Sequence, residues 1–205
     1  MAYPTVSAPY GFKPINRIDG LPYAGAIQQI PVTSGQAIYY GDTVKVVAGG
    51  TISRSGATTS GTIVGVFVGV QYVNAQGQTV QAQYVPASGI TNPIAYVVVD
   101  PSAAYKVAVT TTGSTTTVTG VNSTAVGCNV AQTAWAAGSN TTGDSISAIV
   151  APANGAGDTD TLPFRVIAVV PETSYVSGST TYYTEVIVKV NNPQYTALTG
   201  TTYTA

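Results

Sequence analysis

The stretch Ile63-Val64-Gly65-Val66-Phe67-Val68-Gly69-Val70-Gln71-Tyr72 decides the fold class. It is rich in β-branched side chains and apolar on both faces, which predicts a long strand inside a sheet. Gly65 and Gly69 interrupt the run, and glycines within a strand often mark bulges or a close approach of another backbone. The run is also well short of the ~20 apolar residues that a membrane-spanning helix needs. The stretch therefore predicts a buried β-strand.

Turn residues divide the rest of the chain into further short strands. Gly49-Gly50 predicts a tight hairpin turn, because glycine supplies the positive φ that such turns require. We expect roughly nine to eleven strands, the last two forming an antiparallel pair. The predicted strands include 27–32, 43–47, 51–54, 63–72, 78–85, 94–99, 105–110, 164–170 and 182–190. This pattern predicts an all-β fold, either an antiparallel β-barrel or a β-sandwich.

Signals for helices are nearly absent. Glu occurs twice and Leu three times in the whole chain, and β-branched residues and tyrosine dominate instead. The one candidate helix covers residues 125–137, where Gly127, Asn129 and Thr133 weaken the pattern.

The two ends of the chain differ in composition from the middle. Residues 1–24 combine four prolines with several aromatic residues. Proline at this density opposes regular sheet, whereas aromatic rings gain from burial. We therefore expect an extended N-terminal arm, which lies either on another protein or on its own domain. Tyr10, Phe12 and Tyr23 are the predicted partner-binding residues of this arm.

The remaining chain is predicted to form one β-rich domain over residues 25–193, followed by an extended polar tail over 194–205. Residues 152–160 are rich in Asn, Gly and Asp and form the one possible boundary within it. Asp158 and Asp160 in this loop are interpreted as turn formers, because their side chains bond nearby backbone.

The composition argues against an enzyme. The chain has no histidine and one cysteine, with seven basic and eight acidic residues. Histidine is the usual proton shuttle near neutral pH, so acid–base chemistry would fall to carboxylates, lysines and tyrosines. Cys128 has an apolar context and is expected to be buried and inert. We predict no catalytic residues, no metal site and no cofactor; a carboxylate-based glycosidase would depend on Glu172, Glu185 and the aspartates.

The charge balance bears on partners. A formal net charge of −1 gives a weak field, so neither nucleic acid nor a membrane is an expected partner. Low net charge promotes association, which favours a component of an assembly. The N-terminus shows no secretory signal, and a lone cysteine is consistent with synthesis in a reducing cytoplasm.

Six segments in order along the chain resemble a group of tailed-bacteriophage virion proteins, the capsid decoration (cement) proteins encoded near the major capsid protein. The segments are Ser7–Asn16, Ile38–Val44, Val64–Tyr72, Gln83–Ala87, Ala95–Pro101 and Val190–Tyr195. Val70 departs from the pattern, because relatives are expected to have cysteine there.

The resemblance implies a compact β-rich core and a structural role on the outer surface of the capsid, in a virion made in the bacterial host cytoplasm. It also implies that the protein bridges neighbouring subunits of the major capsid protein and associates with itself, a homotrimer being favoured. The alternative is a tail- or fibre-associated β-domain that binds host surface glycans through some of its fourteen tyrosines.

Overall fold

The structure is a computed structural model that describes residues 6–23, 26–55, 62–110, 120–133, 138–152, 160–173 and 183–196. This part of the chain is all-β, as predicted. It contains fourteen strands: β1 (Lys13–Arg17), β2 (Ile27–Pro31), β3 (Ile38–Tyr39), β4 (Thr43–Val46), β5 (Ile52–Arg54), β6 (Gly65–Asn74), β7 (Thr79–Ala82), β8 (Tyr84–Val85), β9 (Ile90–Val98), β10 (Ala103–Thr110), β11 (Asn129–Val130), β12 (Ile149–Val150), β13 (Phe164–Val169) and β14 (Glu185–Val190). Short 3₁₀ turns occur at Ser123–Ala125, Pro171–Thr173 and Gln194–Thr196.

The strands form two six-stranded sheets and one small ribbon. The first sheet has the order β1-β10-β14-β13-β11, and β12 pairs with β10 in parallel. The last two strands, β13 and β14, are antiparallel, as predicted. The second sheet has the order β2-β9-β6-β4-β5, with β7 added to β6, and β3 pairs with β8 separately.

The second sheet curls toward itself. A single parallel bridge joins Val32, just after β2, to Ile52 in β5, although these strands lie at opposite edges of the sheet. The edges meet at this bridge without forming a closed barrel. Of the two predicted architectures, the sandwich-like arrangement is therefore the one that fits.

Two hydrophobic clusters form the core. The first lies between the sheets and includes Tyr105 and Phe164 of the first sheet with Val98 of the second. The second cluster fills the curl of the second sheet and includes Phe67 and Val97. Adjacent residues of a strand point to opposite faces, so Val97 and Val98 enter different clusters. This position between two clusters explains why β6 and β9 are apolar on both faces.

The structure confirms the predicted tight turn at Gly49-Gly50 and the predicted close backbone approach at Gly65. Gly49 and Gly50, with φ of 86° and 72°, form the turn of the antiparallel β4–β5 hairpin. A Cβ on Gly65 would lie 2.0 Å from the carbonyl oxygen of Val98, so the pairing of β6 with β9 requires glycine at this position. The same pairing also contains bulges, one of them between Phe67 and Gly69.

The predicted near-absence of helix is confirmed at the weakened candidate, whereas the prediction for Cys128 was wrong. Within the described part of 125–137 there is no α-helix: the 3₁₀ turn ends where Val126 adopts extended backbone, and residues 129–130 form β11. Cys128 is partly exposed, not buried, because it follows this surface turn and its thiol donates to the carbonyl oxygen of Thr124 at 3.7 Å. No helix in the described ranges is long and apolar enough to cross a membrane.

The predicted boundary and tail fall largely outside the described residues. Of the boundary at 152–160, residues 153–159 lie outside them, as do residues 197–205 of the tail. The described start of the tail, 194–196, is fixed to β4: the Gln194 side chain accepts from the Val46 N–H at 2.7 Å and donates to its carbonyl oxygen at 2.8 Å.

Candidate functional site

The described part of the N-terminal segment, residues 6–23, lies against its own chain. Its strand β1 occupies the edge of the first sheet beside β10. Pro14 is compatible with this position, since proline in sheets is confined to edges and bulges. Phe12 is fully buried in the first cluster and stacks on Phe164, with ring centroids 4.5 Å apart. In this structure Phe12 therefore belongs to the protein's own core, and its ring is not available to a partner.

Tyr10 is half-buried and bound to the first sheet. Its hydroxyl donates to Oε1 of Glu185, and the Lys106 ammonium lies 3.2 Å from the same oxygen. Burial, together with the hydrogen bond to Glu185, raises the pKa of Tyr10 above the ordinary tyrosine value. The buried carboxylate of Glu185 thus accepts from two neighbours, which fixes the segment to β10 and β14.

Lys13 makes a second polar attachment. Its ammonium lies 2.6 Å from Oδ1 of Asp144 and 4.0 Å from the centre of the Tyr40 ring. Lys13 is also the register partner of Lys106 across β1 and β10. Like charges directly opposite one another destabilise a sheet, but here each lysine has its own carboxylate.

Tyr23, the third predicted residue, packs against the first cluster and is only partly exposed. The strongly exposed side chains of this region are instead aliphatic. Of the seven large hydrophobic side chains that are exposed in the described ranges, four lie within residues 15–27. We call these four the edge surface: Ile15, Ile18, Leu21 and Ile27. Sequence reasoning missed them because it gave weight to the aromatic residues.

The edge surface lies where both sheets end. β1 is the outer strand of the first sheet and β2 an outer strand of the second. The chain between them runs beside the connection from β9 to β10: the Ile18 N–H donates to the Ser102 carbonyl at 2.9 Å, and the Val99 N–H to that of Ala26 at 3.0 Å. Two outer strands and the exposed aliphatic side chains are therefore neighbours on one side of the molecule.

A buried ion pair joins three parts of the chain. Arg54 Nε lies 2.7 Å from Oδ2 of Asp42, and both side chains are almost fully buried. The hydroxyls of Ser145 and Ser147 donate to Oδ1 of Asp42 at 2.6 and 3.1 Å, and the Tyr39 N–H donates to Oδ2 at 2.8 Å. With its acceptor sites engaged, this carboxylate holds the three parts of the chain together.

The described residues contain no group of three or more histidine, cysteine, aspartate or glutamate side chains that could hold a metal ion. The absence of enzymatic activity stays a prediction.

Comparison with known proteins does not assign the chain to a family or a function. No protein-family model, curated protein or solved structure matches the chain.

Proposed function

We propose that this chain is a structural virion protein that binds the outside of a bacteriophage capsid and stabilises it by bridging neighbouring capsid subunits. The resemblance of six sequence segments to capsid decoration proteins supports this proposal. The edge surface carries it, because four exposed aliphatic side chains beside two outer strands are features of a protein contact.

Binding would combine apolar burial with strand addition. The Ala26 carbonyl oxygen accepts from the Val99 N–H, and the Val32 N–H donates to the carbonyl oxygen of Pro93 in β9. The alternating residues Ile27 and Gln29 therefore direct their backbone groups outward. An extended segment of the major capsid protein could pair with these groups while Ile18 and Leu21 become buried. A protein that binds only the assembled shell stabilises it by mass action.

The proposed partners are the major capsid protein and further copies of this chain. The trimer, the location on the outer capsid surface and the synthesis in the bacterial cytoplasm rest on the resemblance. The near-neutral charge is consistent with partners other than nucleic acid or a membrane.

The test is co-sedimentation with expanded heads assembled from the major capsid protein of the same genome. We expect saturable binding at a fixed ratio to capsid subunits. Ile18 and Leu21 are 52% and 55% exposed, so the double variant I18E/L21E should remain folded and lose binding. Val126, 47% exposed beside a different surface turn, supplies the matched control V126E, which should bind normally.

Two results would contradict the proposal at different levels. Absence of wild-type binding to both expanded and unexpanded heads would exclude the decoration function. Equal binding by I18E/L21E and V126E would leave the function intact but exclude the edge surface as the contact.

A further inference from the structure

A groove opens on the second sheet, and its lining contains none of the four edge-surface residues. It has a volume of about 360 Å³ and opens to solvent. Strands β6 and β9 and the segment 81–83 form its walls. Its lining includes Val68, Gly69, Gln81, Gln83 and Tyr96, none of them charged.

Gly69 creates the space. A Cβ at this position would have its nearest neighbours at 3.6 Å, the Ala82 carbonyl oxygen, and at 3.8 Å, Cδ2 of Tyr96, which are ordinary contact distances. Gly69 is also not among the glycines with positive φ. Neither crowding nor backbone conformation requires glycine here, in contrast to Gly65 on the same strand. A Cβ would therefore fit the strand, and a larger side chain would narrow the groove.

The polar groups of the groove are free to bind a ligand. Gln81 and Gln83 are exposed, and their side-chain amides make no hydrogen bond to any described residue. Each amide offers donors and an acceptor. The hydroxyl of Tyr96 donates to Oε1 of Gln71 at 3.2 Å, which holds the ring in place at the side of the groove.

We propose that this groove binds a neutral saccharide. A sugar has an apolar C–H face that can lie on the Tyr96 ring, and hydroxyls that can exchange hydrogen bonds with the amides of Gln81 and Gln83. The uncharged lining favours an uncharged ligand, because a charged group would lose hydration without gaining a partner. The volume lies at the lower end of the range of about 300–1,000 Å³ for small-molecule sites, which suits a short oligosaccharide.

This inference does not depend on the capsid proposal, since the groove and the edge surface share no residue. A saccharide site could serve a protein on the outside of a capsid or one in a tail. Loss of capsid binding in I18E/L21E and loss of saccharide binding in a groove variant are therefore separate observations.

The experiment is an array of neutral oligosaccharides built from hexoses and N-acetylhexosamines, with sialylated oligosaccharides beside them, followed by titration calorimetry with the best binder. We expect the full chain to bind at least one neutral saccharide. Gly69→Val places a branched side chain in the groove and should lower the affinity at least about tenfold, as should Gln83→Ala. Gln76→Ala, which removes an exposed glutamine from the turn between β6 and β7, is the matched control and should bind as the wild type does.

Thermal melting separates loss of the groove from loss of the fold. Valine suits a strand, and the first added atom at position 69 meets only ordinary contacts, so Gly69→Val should melt within a few degrees of the wild type. If valine proves too large, Gly69→Ala repeats the comparison with the smallest possible addition. No binding on the array, binding of charged glycans alone, or wild-type affinity in a folded Gly69→Val protein would overturn the proposal.

Discussion

Replacing Phe12 by alanine tests whether the N-terminal segment belongs to the folded domain. Phe12 is completely buried, and its ring stacks on Phe164 at 4.5 Å with an interplanar angle of 18°. Removing a buried phenylalanine ring typically lowers the free energy of unfolding by about 3–5 kcal/mol, through lost apolar burial and the cavity left behind. Stacked aromatic pairs contribute about 0.5–1.5 kcal/mol beyond their area, which places Phe12→Ala toward the upper end of that range.

Urea denaturation followed by circular dichroism measures this loss, and a thermal melt provides an independent check. For a domain of this size, 1 kcal/mol corresponds to a shift of about 2–4 °C, so we expect the melting temperature to fall by about 6–20 °C. Ile18→Ala is the control within the same segment. Ile18 is 52% exposed, and its truncation should cost less than about 0.5 kcal/mol.

If Phe12→Ala unfolded at the same urea concentration as Ile18→Ala, the segment would not be part of the core. Residues 1–24 would then be an arm whose aromatic side chains become buried against another protein. The expected large difference would also mean that deletion of the first twenty residues unfolds the first cluster, so the point variants of the edge surface are the cleaner probes of capsid binding.

Two further predictions concern the polar contacts. Asp42→Asn removes the carboxylate charge from the buried pair with Arg54 and should cost about 3–5 kcal/mol in urea denaturation. Asp19→Asn, at an exposed pair, should cost about 0–1 kcal/mol, and similar losses for both would refute the role of burial. Folding raises the pKa of Tyr10, largely by burial and by its bond to Glu185, so above about pH 10 the unfolded chain releases this proton first. The free energy of unfolding should therefore fall as the pH rises above about 10, and Tyr10→Phe should reduce that slope; equal slopes would contradict the assignment.

The strands could be predicted because each carries local signals. The β4–β5 hairpin follows from a Gly-Gly turn between alternating residues, and β6 follows from its apolar run. Strand β6 covers Gly65–Asn74 and not the predicted 63–72. Ile63 lies outside it because this residue makes only an isolated bridge, to Pro193. The central position of β9 was also predictable, since a strand apolar on both faces needs cover on both sides.

The arrangement of distant parts could not be predicted in the same way. Asp42 bonds to Ser145, 103 residues away along the chain, and nothing near either residue signals the other. The prolines of the N-terminal segment argued against sheet, yet Pro14 lies in β1 on an edge where no ladder bond is lost. Local propensity was overridden there by the burial of the adjacent Phe12.

Gly65 and Gly69 look equivalent in the sequence, and only the structure separates them. Glycine inside a strand costs stability relative to a β-branched residue, because it has more backbone freedom to lose and no side chain to pack. At Gly65 the cost is offset by the close pairing of β6 with β9, which no side chain would allow. At Gly69 no such contact offsets it, and the space left open lies between a fixed tyrosine ring and two free amides. A glycine inside a strand that no close contact requires is a sign of function, because it lowers stability without improving the packing. The groove is therefore the second surface to test after the edge surface.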